Sequence, residues 1–219
     1  GVVNNAGTIS SDSRALNSDG IGLTVNNSGS ILGTGDQRNG TVYFDGTANN
    51  ITLNNLADGI IDAGIGNNGS GVSIQALAGE RTHTIVNAGT IQGRGTALAS
   101  GEAAGLRVFY PPNMMRPIVN LDIDNTGIIA SETSAGILLE NITFAGDIPN
   151  SGPISGATAA IDGRTSFGDV VVNQIGGSLI GGVLTGNGDD TLNISGGTIT
   201  GTIDLGAGDN QVNIVSGGE

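Results

Sequence analysis

The stretch Asn87-Ala88-Gly89-Thr90-Ile91, preceded by Thr84-Ile85-Val86, decides the fold because its pattern recurs along the whole chain. In five of the nine copies a Gly begins a Gly-Thr/Ser-Ile/Leu step, and an Asn often stands just before the Gly. The anchor glycines are Gly7, Gly29, Gly59, Gly89, Gly127, Gly152, Gly177, Gly197 and Gly217, at intervals of 22, 30, 30, 38, 25, 25, 20 and 20 residues. A period of this size that tolerates insertions is typical of a solenoid in which each repeat forms one coil.

Two positions flanking the anchor predict the interior of the solenoid. The residue two places after the Gly is aliphatic in eight copies: Ile9, Ile31, Ile61, Ile91, Ile129, Ile154, Leu179 and Ile199. Coils stacked about 4.8 Å apart would pack these side chains into a ladder, and full burial of each contributes on the order of 1.5–3 kcal/mol. The residue two places before the Gly is Asn5, Asn27, Asn87, Asn125 and Asn150 in five copies. We expect these amides to form corners and to bond one another along the axis.

The segments between the anchors predict short strands of about 3–6 residues, since they are rich in β-branched residues and bounded by Gly, Asn or Asp. Two or three strands fit in each coil, and parallel pairing with right-handed crossovers is expected. The predicted fold is therefore all-β: a single right-handed parallel β-helix over residues 1–219, with about nine coils of 20–38 residues. Irregular coils fill residues 1–175, and regular 20-residue coils fill residues 176–219.

Composition limits the class of protein. The chain has 40 glycines and only 3% aromatic residues, which suits a narrow aliphatic core with Gly and Asn in turns of positive φ. Its net charge is −13, which disfavours binding to nucleic acid or to anionic lipid. It has no cysteine, so a disulfide framework is excluded. No stretch approaches the roughly 18 apolar residues of a membrane-spanning helix.

The longest interval, from Gly89 to Gly127, contains the proline-rich run from Arg107 to Pro117. Proline cannot lie within a paired strand, so an inserted loop is predicted near residues 101–118. Insertions in solenoids often lie on the binding face. The candidate contact residues for a ligand or partner are Arg107, Phe109, Tyr110, Met114, Met115 and Arg116. An alternative is that Phe109 and Met114 only pin the loop to the flank of the solenoid.

A family resemblance follows from these coils and from the two closing ones, Gly186-Asn187-Gly188-Asp189-Asp190-Thr191-Leu192 and its echo from Gly206 to Val212. Their repeat style resembles the passenger domain of Gram-negative autotransporters. The resemblance implies an adhesin-like β-helix at the cell surface or secreted, with an outer-membrane barrel expected outside these residues. Because the repeat pattern is already under way at Gly1 and still present at Gly217, the chain is expected to be a fragment of a longer array. It also implies a role in adhesion, self-association or virulence, with a surface protein, a glycan or a second copy as partner.

Three sets of residues raise the question of chemistry. The segment from Gly186 resembles a calcium-binding nonapeptide, in which Asp189, Asp190 and Asp209 would be the ligands. Its spacing of 20 residues rather than nine favours turn formation instead, so no metal or cofactor is expected.

Asp122 and Asp124 lie two apart on one strand face and could serve a polysaccharide lyase or hydrolase. Alternation turns that face to solvent, so no enzyme is expected, and an inert stalk is a further alternative. His83, close to Arg81, is expected on the surface.

Overall fold

The chain forms a parallel β-helix, as the repeat predicts. The computed structural model describes residues 1–35, 40–64, 69–77, 79–95, 103–111 and 116–215. Within these residues every regular element is a β-strand and every strand pairing is parallel. The last anchor, Gly217, lies outside the described residues.

The strands are short and follow one another at corners. Their bounds are β1 Val2–Asn5, β2 Thr8–Ser11, β3 Leu16–Ser18, β4 Thr24–Asn27, β5 Ser30–Gly33, β6 Val42–Phe44, β7 Ile51–Asn55, β8 Ile60–Asp62, β9 Val72–Gln75, β10 Arg81–Asn87, β11 Thr90–Gly93, β12 Leu106–Phe109, β13 Ile118–Asn125, β14 Ile128–Ser131, β15 Ile137–Glu140, β16 Thr143–Asn150, β17 Pro153–Gly156, β18 Ile161–Asp162, β19 Val170–Gln174, β20 Ser178–Leu184, β21 Thr191–Ile194, β22 Thr198–Asp204 and β23 Gln211–Ile214.

Two sheets run along the solenoid. Sheet 1 has nine strands, one from each coil, in the order β1-β4-β7-β10-β13-β16-β19-β21-β23. Sheet 2 has two limbs. Limb 2a contains β2, β5, β8, β11, β14 and β17, and limb 2b contains β3, β6, β9, β12, β15 and β18. The long strands β20 and β22 pair along their whole length and pass from one limb to the other, which joins the limbs into one sheet. Early coils therefore have three strands and the closing coils two.

The predicted aliphatic ladder is confirmed rung by rung. The eight residues two places after the anchors are neighbours in the register of limb 2a, from Ile9 opposite Ile31 to Leu179 opposite Ile199. The six inner rungs, from Ile31 to Leu179, have no solvent exposure. Each of these side chains is shielded by the coils above and below it, so neighbouring coils stabilise one another.

A ladder of side-chain amides runs parallel to the aliphatic one, at the corner between sheet 1 and limb 2a. This inner amide ladder contains Asn5, Asn27, Asn55, Asn87, Asn125, Asn150 and Gln174, all buried. Each Nδ2 donates to the amide oxygen of the next rung at 2.8 Å. The bonding predicted for the five Asn residues is confirmed, and two rungs were missed. Asn55 lies four places before its Gly because this corner is longer, and Gln174 replaces Asn.

Beyond the first coil, the described anchor glycines are required by close packing of the backbone rather than by the positive φ expected for them. A Cβ added to Gly89 would lie 2.2 Å from the Gly59 carbonyl oxygen, and one on Gly127 would lie 2.2 Å from that of Gly89. Among the described anchors only Gly177 and Gly197 have positive φ. The glycines therefore let successive corners stack at the distance that the strand pairing sets.

Coil length varies at only some corners. The amide-ladder corner has two to four residues in each of the first eight coils, whereas the bend between limbs 2a and 2b ranges from none in β20 to twelve residues, 94–105, in the fourth coil. Limb 2b has strands with consecutive buried residues, such as all four of Leu106–Phe109, while sheet 1 alternates buried and exposed residues. Limb 2b is therefore covered on both faces, and sheet 1 presents one face to solvent.

Candidate functional site

The proline-rich interval does not form the single projecting loop that was predicted near residues 101–118. Residues Leu106–Phe109, which include Arg107, form strand β12. This strand pairs with β9 and β15. Strand β12 therefore divides the interval: residues 94–105 precede it and residues 110–117 follow it in the chain. The prediction missed β12 because its four residues carry no polar–apolar alternation when both faces are covered.

The candidate contact residues of this interval are mostly enclosed. Arg107 Nε lies 2.6 Å from Glu140 Oε2 on the next coil, and its guanidinium carbon lies 4.1 Å from the centre of the Phe109 ring. Arg107, Phe109 and Tyr110 are each less than 10% exposed, and Tyr110 belongs to the main hydrophobic core. These three side chains hold coils together, and the expectation that they project is wrong.

The other predicted contact residues are differently placed. Arg116 is exposed, and its guanidinium carbon lies 3.3 Å from the centre of the Phe167 ring, a cation–π contact two coils along the chain. Met114 and Met115 lie outside the described residues. A partner contact at Arg116 therefore stays a prediction.

The solvent-facing side of sheet 1 is a continuous surface of nine strands, which we call the outer face of sheet 1. Thr24, Thr52 and Thr84 are register neighbours on it. Two outer amide ladders run along the axis of the same face, Asn4–Asn26–Asn54 in the first three coils and Asn173–Asn193–Asn213 in the last three, with successive amides bonded at 2.8–2.9 Å. The face thus repeats hydroxyl and amide groups at the spacing of the strands.

Acidic residues occupy the middle of the same face. Asp122 and Asp124 are exposed and alternate with the buried Leu121 and Ile123, so their predicted outward orientation is confirmed. Asp147 on the neighbouring strand is also exposed. The carboxylates give the middle of the outer face a local negative charge, with amide and hydroxyl groups on both sides along the axis.

The calcium candidates Asp189, Asp190 and Asp209 lie at the corner between limb 2b and sheet 1, where carboxylates accept backbone hydrogen bonds between coils. Asp189 Oδ1 accepts from the backbone N–H of Asp209 at 2.8 Å, and Asp190 Oδ1 accepts from that of Val170 at 2.7 Å. In the part of the chain that the structure describes, no three His, Cys, Asp or Glu residues are grouped as ligands for a metal ion. The geometry is that of turn formation.

Asp190 differs from its neighbours because it has no solvent exposure. Burial raises the pKa of its carboxyl, and the charges of Asp169 and Asp189 add to the rise, while the hydrogen bond from Val170 and the nearby Thr185 hydroxyl oppose it. Neither Asp190 Oδ2 nor Thr185 Oγ1 has a partner with hydrogen-bond geometry among the described residues. This carboxyl therefore favours its protonated form more than an exposed one does.

His83 is buried, so its expected surface position is wrong. Its side chain faces the interior of sheet 1, in register between Ile51 and Leu121. Burial, and then the charge of Arg81, lower the pKa of the imidazole from 6.5 to about 4. A neutral imidazole can take an aliphatic position in the core, whereas a charged one cannot without a counter-charge. The sequence signal for this was its place two residues before Ile85, on the inward side of the strand.

A charge cluster on the outside of limb 2a was not predicted. Arg94 makes two bonds to the Asp62 carboxylate, at 2.6 and 2.9 Å, and a third to Glu132. The hydrogen bond to Asp62 is the main cause that raises the pKa of Arg94. These residues belong to three successive coils and stand at the edge of the variable bend. No sequence pattern marks them, since they are far apart in the chain and their spacings differ.

In comparisons with known proteins, no family model, no curated protein and no solved structure matches the chain. No helix in the described part of the chain is long and apolar enough to cross a membrane.

Proposed function

We propose that this chain is a β-helical passenger segment of an autotransporter-type protein from a Gram-negative bacterium, displayed at the cell surface or secreted. Support for this proposal comes from the Asn-x-Gly-Thr-Ile repeat, the parallel β-helix, the acidic charge and the lack of cysteine. The absence of cysteine suits a chain that passes through an oxidising compartment, where free thiols would form disulfides.

In this proposal the segment acts in adhesion or self-association through the outer face of sheet 1. The observation that carries this role is the in-register repetition of amide side chains on the outer face in the first three and the last three coils. Hydroxyl and amide groups can donate and accept hydrogen bonds at the same time. Rows of them spaced about 4.8 Å apart could engage the hydroxyls of a glycan, an extended peptide or a second copy of the chain.

The central carboxylates set the kind of partner that suits the face. Asp122, Asp124 and Asp147 would repel an anionic glycan and favour a neutral or cationic partner. A polysaccharide lyase or hydrolase built on Asp122 and Asp124 remains the alternative in the enzyme class. An inert stalk that presents another domain is the alternative in the structural class.

A matched pair of substitutions tests the proposal. Thr84→Arg puts a bulky cation on the outer face of sheet 1, and Thr90→Arg puts the same cation on limb 2a of the same coil, at a site of similar exposure. Binding is measured on an array of neutral, cationic and anionic glycans, and self-association by analytical ultracentrifugation. Thr84→Arg should weaken binding about tenfold or more, as at an interface centre, while Thr90→Arg should bind like the parent chain.

The outcomes separate the alternatives. Equal binding by both variants would exclude the outer face of sheet 1 as the contact surface. If the parent chain binds no glycan and does not self-associate, the inert stalk is favoured. Release of reducing ends or unsaturated sugars from a polysaccharide, lost in Asp122→Asn, would favour the enzyme.

A further inference from the structure

The sequence contains six Asn-x-Ser/Thr tripeptides, the acceptor pattern for N-linked sugar. They begin at Asn26, Asn39, Asn50, Asn68, Asn141 and Asn193. A transferase that acts on the folded chain must reach both the Asn amide nitrogen and the hydroxyl two residues later. The structure therefore ranks the six by whether those two groups are exposed and unbonded.

The tripeptide at Asn26 has both groups engaged. Asn26 is a rung of an outer amide ladder, where its Nδ2 donates to Asn4 Oδ1 at 2.8 Å and its Oδ1 accepts from Asn54 at 2.8 Å. The hydroxyl of Ser28 donates to the Asn5 carbonyl at 3.3 Å. Modification here would require the strand to open first.

The tripeptide at Asn193 is held in the same way. Its Nδ2 donates to Asn173 Oδ1 at 2.8 Å, and its Oδ1 accepts from Asn213 at 2.9 Å. The Ser195 hydroxyl donates to the Gln174 carbonyl at 3.4 Å. Two distant coils thus protect this pattern by the same three kinds of hydrogen bond.

Two further tripeptides begin at Asn39 and Asn68, which lie outside the described residues. Their hydroxyl residues are described, and both Thr41 and Ser70 have no solvent exposure. An enzyme that needs the hydroxyl cannot reach it there without opening the coil.

Asn50 is the exposed case. It ends the corner of residues 45–50 before strand β7, with a φ of 52°, and its residue is solvent-exposed. Its backbone N–H donates to Asn49 Oδ1, and within the described part of the chain no hydrogen bond holds its side-chain amide. Thr52 lies on the outer face of sheet 1, half-buried, with its hydroxyl likewise unbonded. Both groups needed by a transferase are therefore available.

Asn141 repeats this arrangement three coils later. The same tripeptide, Asn-Ile-Thr, occupies the same kind of corner, with a φ of 56°. Asn50 and Asn141 are the two described residues other than glycine with positive φ. Asn141 is only half-exposed and stands in a corner of two residues, 141–142, so its amide is less accessible than that of Asn50.

We propose that Asn50 is an N-glycosylation site, whose donor is an activated sugar carrying a phosphate leaving group. The amide nitrogen forms a bond to the anomeric carbon of the sugar and loses one proton. The bond from that carbon to the phosphate oxygen breaks, and its electron pair leaves with the phosphate. This inference goes beyond the proposed adhesion, because the sugar would stand at the corner that borders the outer face of sheet 1.

Site-resolved mass spectrometry tests the assignment in two arms. In the first, the folded chain is incubated with UDP-glucose and a soluble N-glycosyltransferase that acts on Asn-x-Ser/Thr. Occupancy at Asn50 should exceed that at Asn26 and Asn193 by roughly tenfold or more, because those strands must first open. In the second, the chain is isolated from the cells that produce it. One added hexose identifies a nucleotide sugar as donor, and an oligosaccharide identifies a lipid-linked one.

Variants separate acceptor chemistry from folding. Asn50→Asp keeps a residue that tolerates positive φ but has no acceptor amide, and Thr52→Ala removes the hydroxyl, so both should lose the sugar. Thr52→Ser restores a hydroxyl and should regain it, and circular dichroism should be unchanged in all three. An unmodified Asn50 in the chain from producing cells, or equal occupancy at Asn26 in the first arm, would overturn the proposal. Loss of the sugar with glycan binding intact would leave the proposed adhesion standing.

Discussion

Replacement of Asp190 by Asn should stabilise the closing coils, and the chain itself supplies the reason. One coil later, Asn210 stands at the same position: its Oδ1 accepts from the Asp190 N–H at 2.9 Å and its Nδ2 donates to the Gly206 carbonyl at 3.1 Å. The 20-residue repeat makes Gly186 the counterpart of Gly206, so we expect the Asp190 Oδ2 position to lie near the Gly186 carbonyl. Asp190→Asn keeps the acceptor for Val170 and places a donor where the carboxylate now has an unpaired oxygen.

The size of the expected gain in stability and its pH dependence follow from the burial of Asp190. An unsatisfied buried polar atom costs about 1–3 kcal/mol, so we expect a gain of that order at pH 8. The pKa of Asp190 is raised in the folded chain, so the parent chain is most stable below the ordinary carboxyl range. It loses stability as the pH rises through the raised pKa. Asn does not titrate, so the advantage of the variant should be large at pH 8 and small at pH 3.

Hydrogen exchange is the suitable assay, because coils near the end of a solenoid open locally before the whole chain unfolds. The backbone amide of Val170 should exchange at least about tenfold more slowly in the variant at pH 8, because a stability gain of 1.4 kcal/mol lowers the open population by a factor of ten. Asp189→Asn removes the same charge at an exposed site of the same corner and is the control. The reasoning would be refuted if the Val170 amide of Asp190→Asn exchanged as fast as that of the parent at pH 8. It would also be refuted if the variant gained as much stability at pH 3 as at pH 8.

Two further predictions concern the interior. The pKa of His83 is lowered to about 4, so the stability that depends on its neutral form is present above pH 6.5 and lost as the pH falls through 4. At 1.36 kcal/mol per pKa unit this is about 3 kcal/mol, and urea unfolding of His83→Leu should lack that loss. Asn87→Ala breaks the inner amide ladder and should cost about 2–4 kcal/mol, whereas Asn54→Ala on the outer face should cost below about 1 kcal/mol. Equal urea midpoints for the two variants would show that the inner amide ladder contributes no more stability than the outer one.

The fold could be predicted because its decisive positions recur at one offset. Once Ile61 and Ile91 occupy the same place in their copies, stacking at the strand spacing is the arrangement that buries both. The physical role of the anchors was harder to predict. A Gly in sequence is compatible with positive φ or with close packing. Only the neighbouring coil distinguishes the two, because its Gly59 carbonyl oxygen lies 2.2 Å from the place that a Cβ on Gly89 would occupy.

The candidate site could not be predicted in the same way, because its burial is set by other coils. Arginine and phenylalanine are residue types expected at an exposed contact, yet Arg107 and Phe109 lie on limb 2b, where both faces are covered. Histidine is a residue type expected at the surface, yet the register of strand β10 turns the His83 side chain toward the interior. For Asp122 and Asp124 the prediction held, since alternation within one strand sufficed and no covering segment intervened.

The distribution of length changes argues for where a binding surface can lie. The larger insertions enter at the bend or at the corner after limb 2b, whereas the amide-ladder corner stays at two to four residues from the first coil to the eighth. Sheet 1 therefore keeps its register although coil length varies from 20 to 38 residues. A partner that reads a repeated row of side chains needs that constancy. The outer face of sheet 1, and not the longest insertion, meets this requirement.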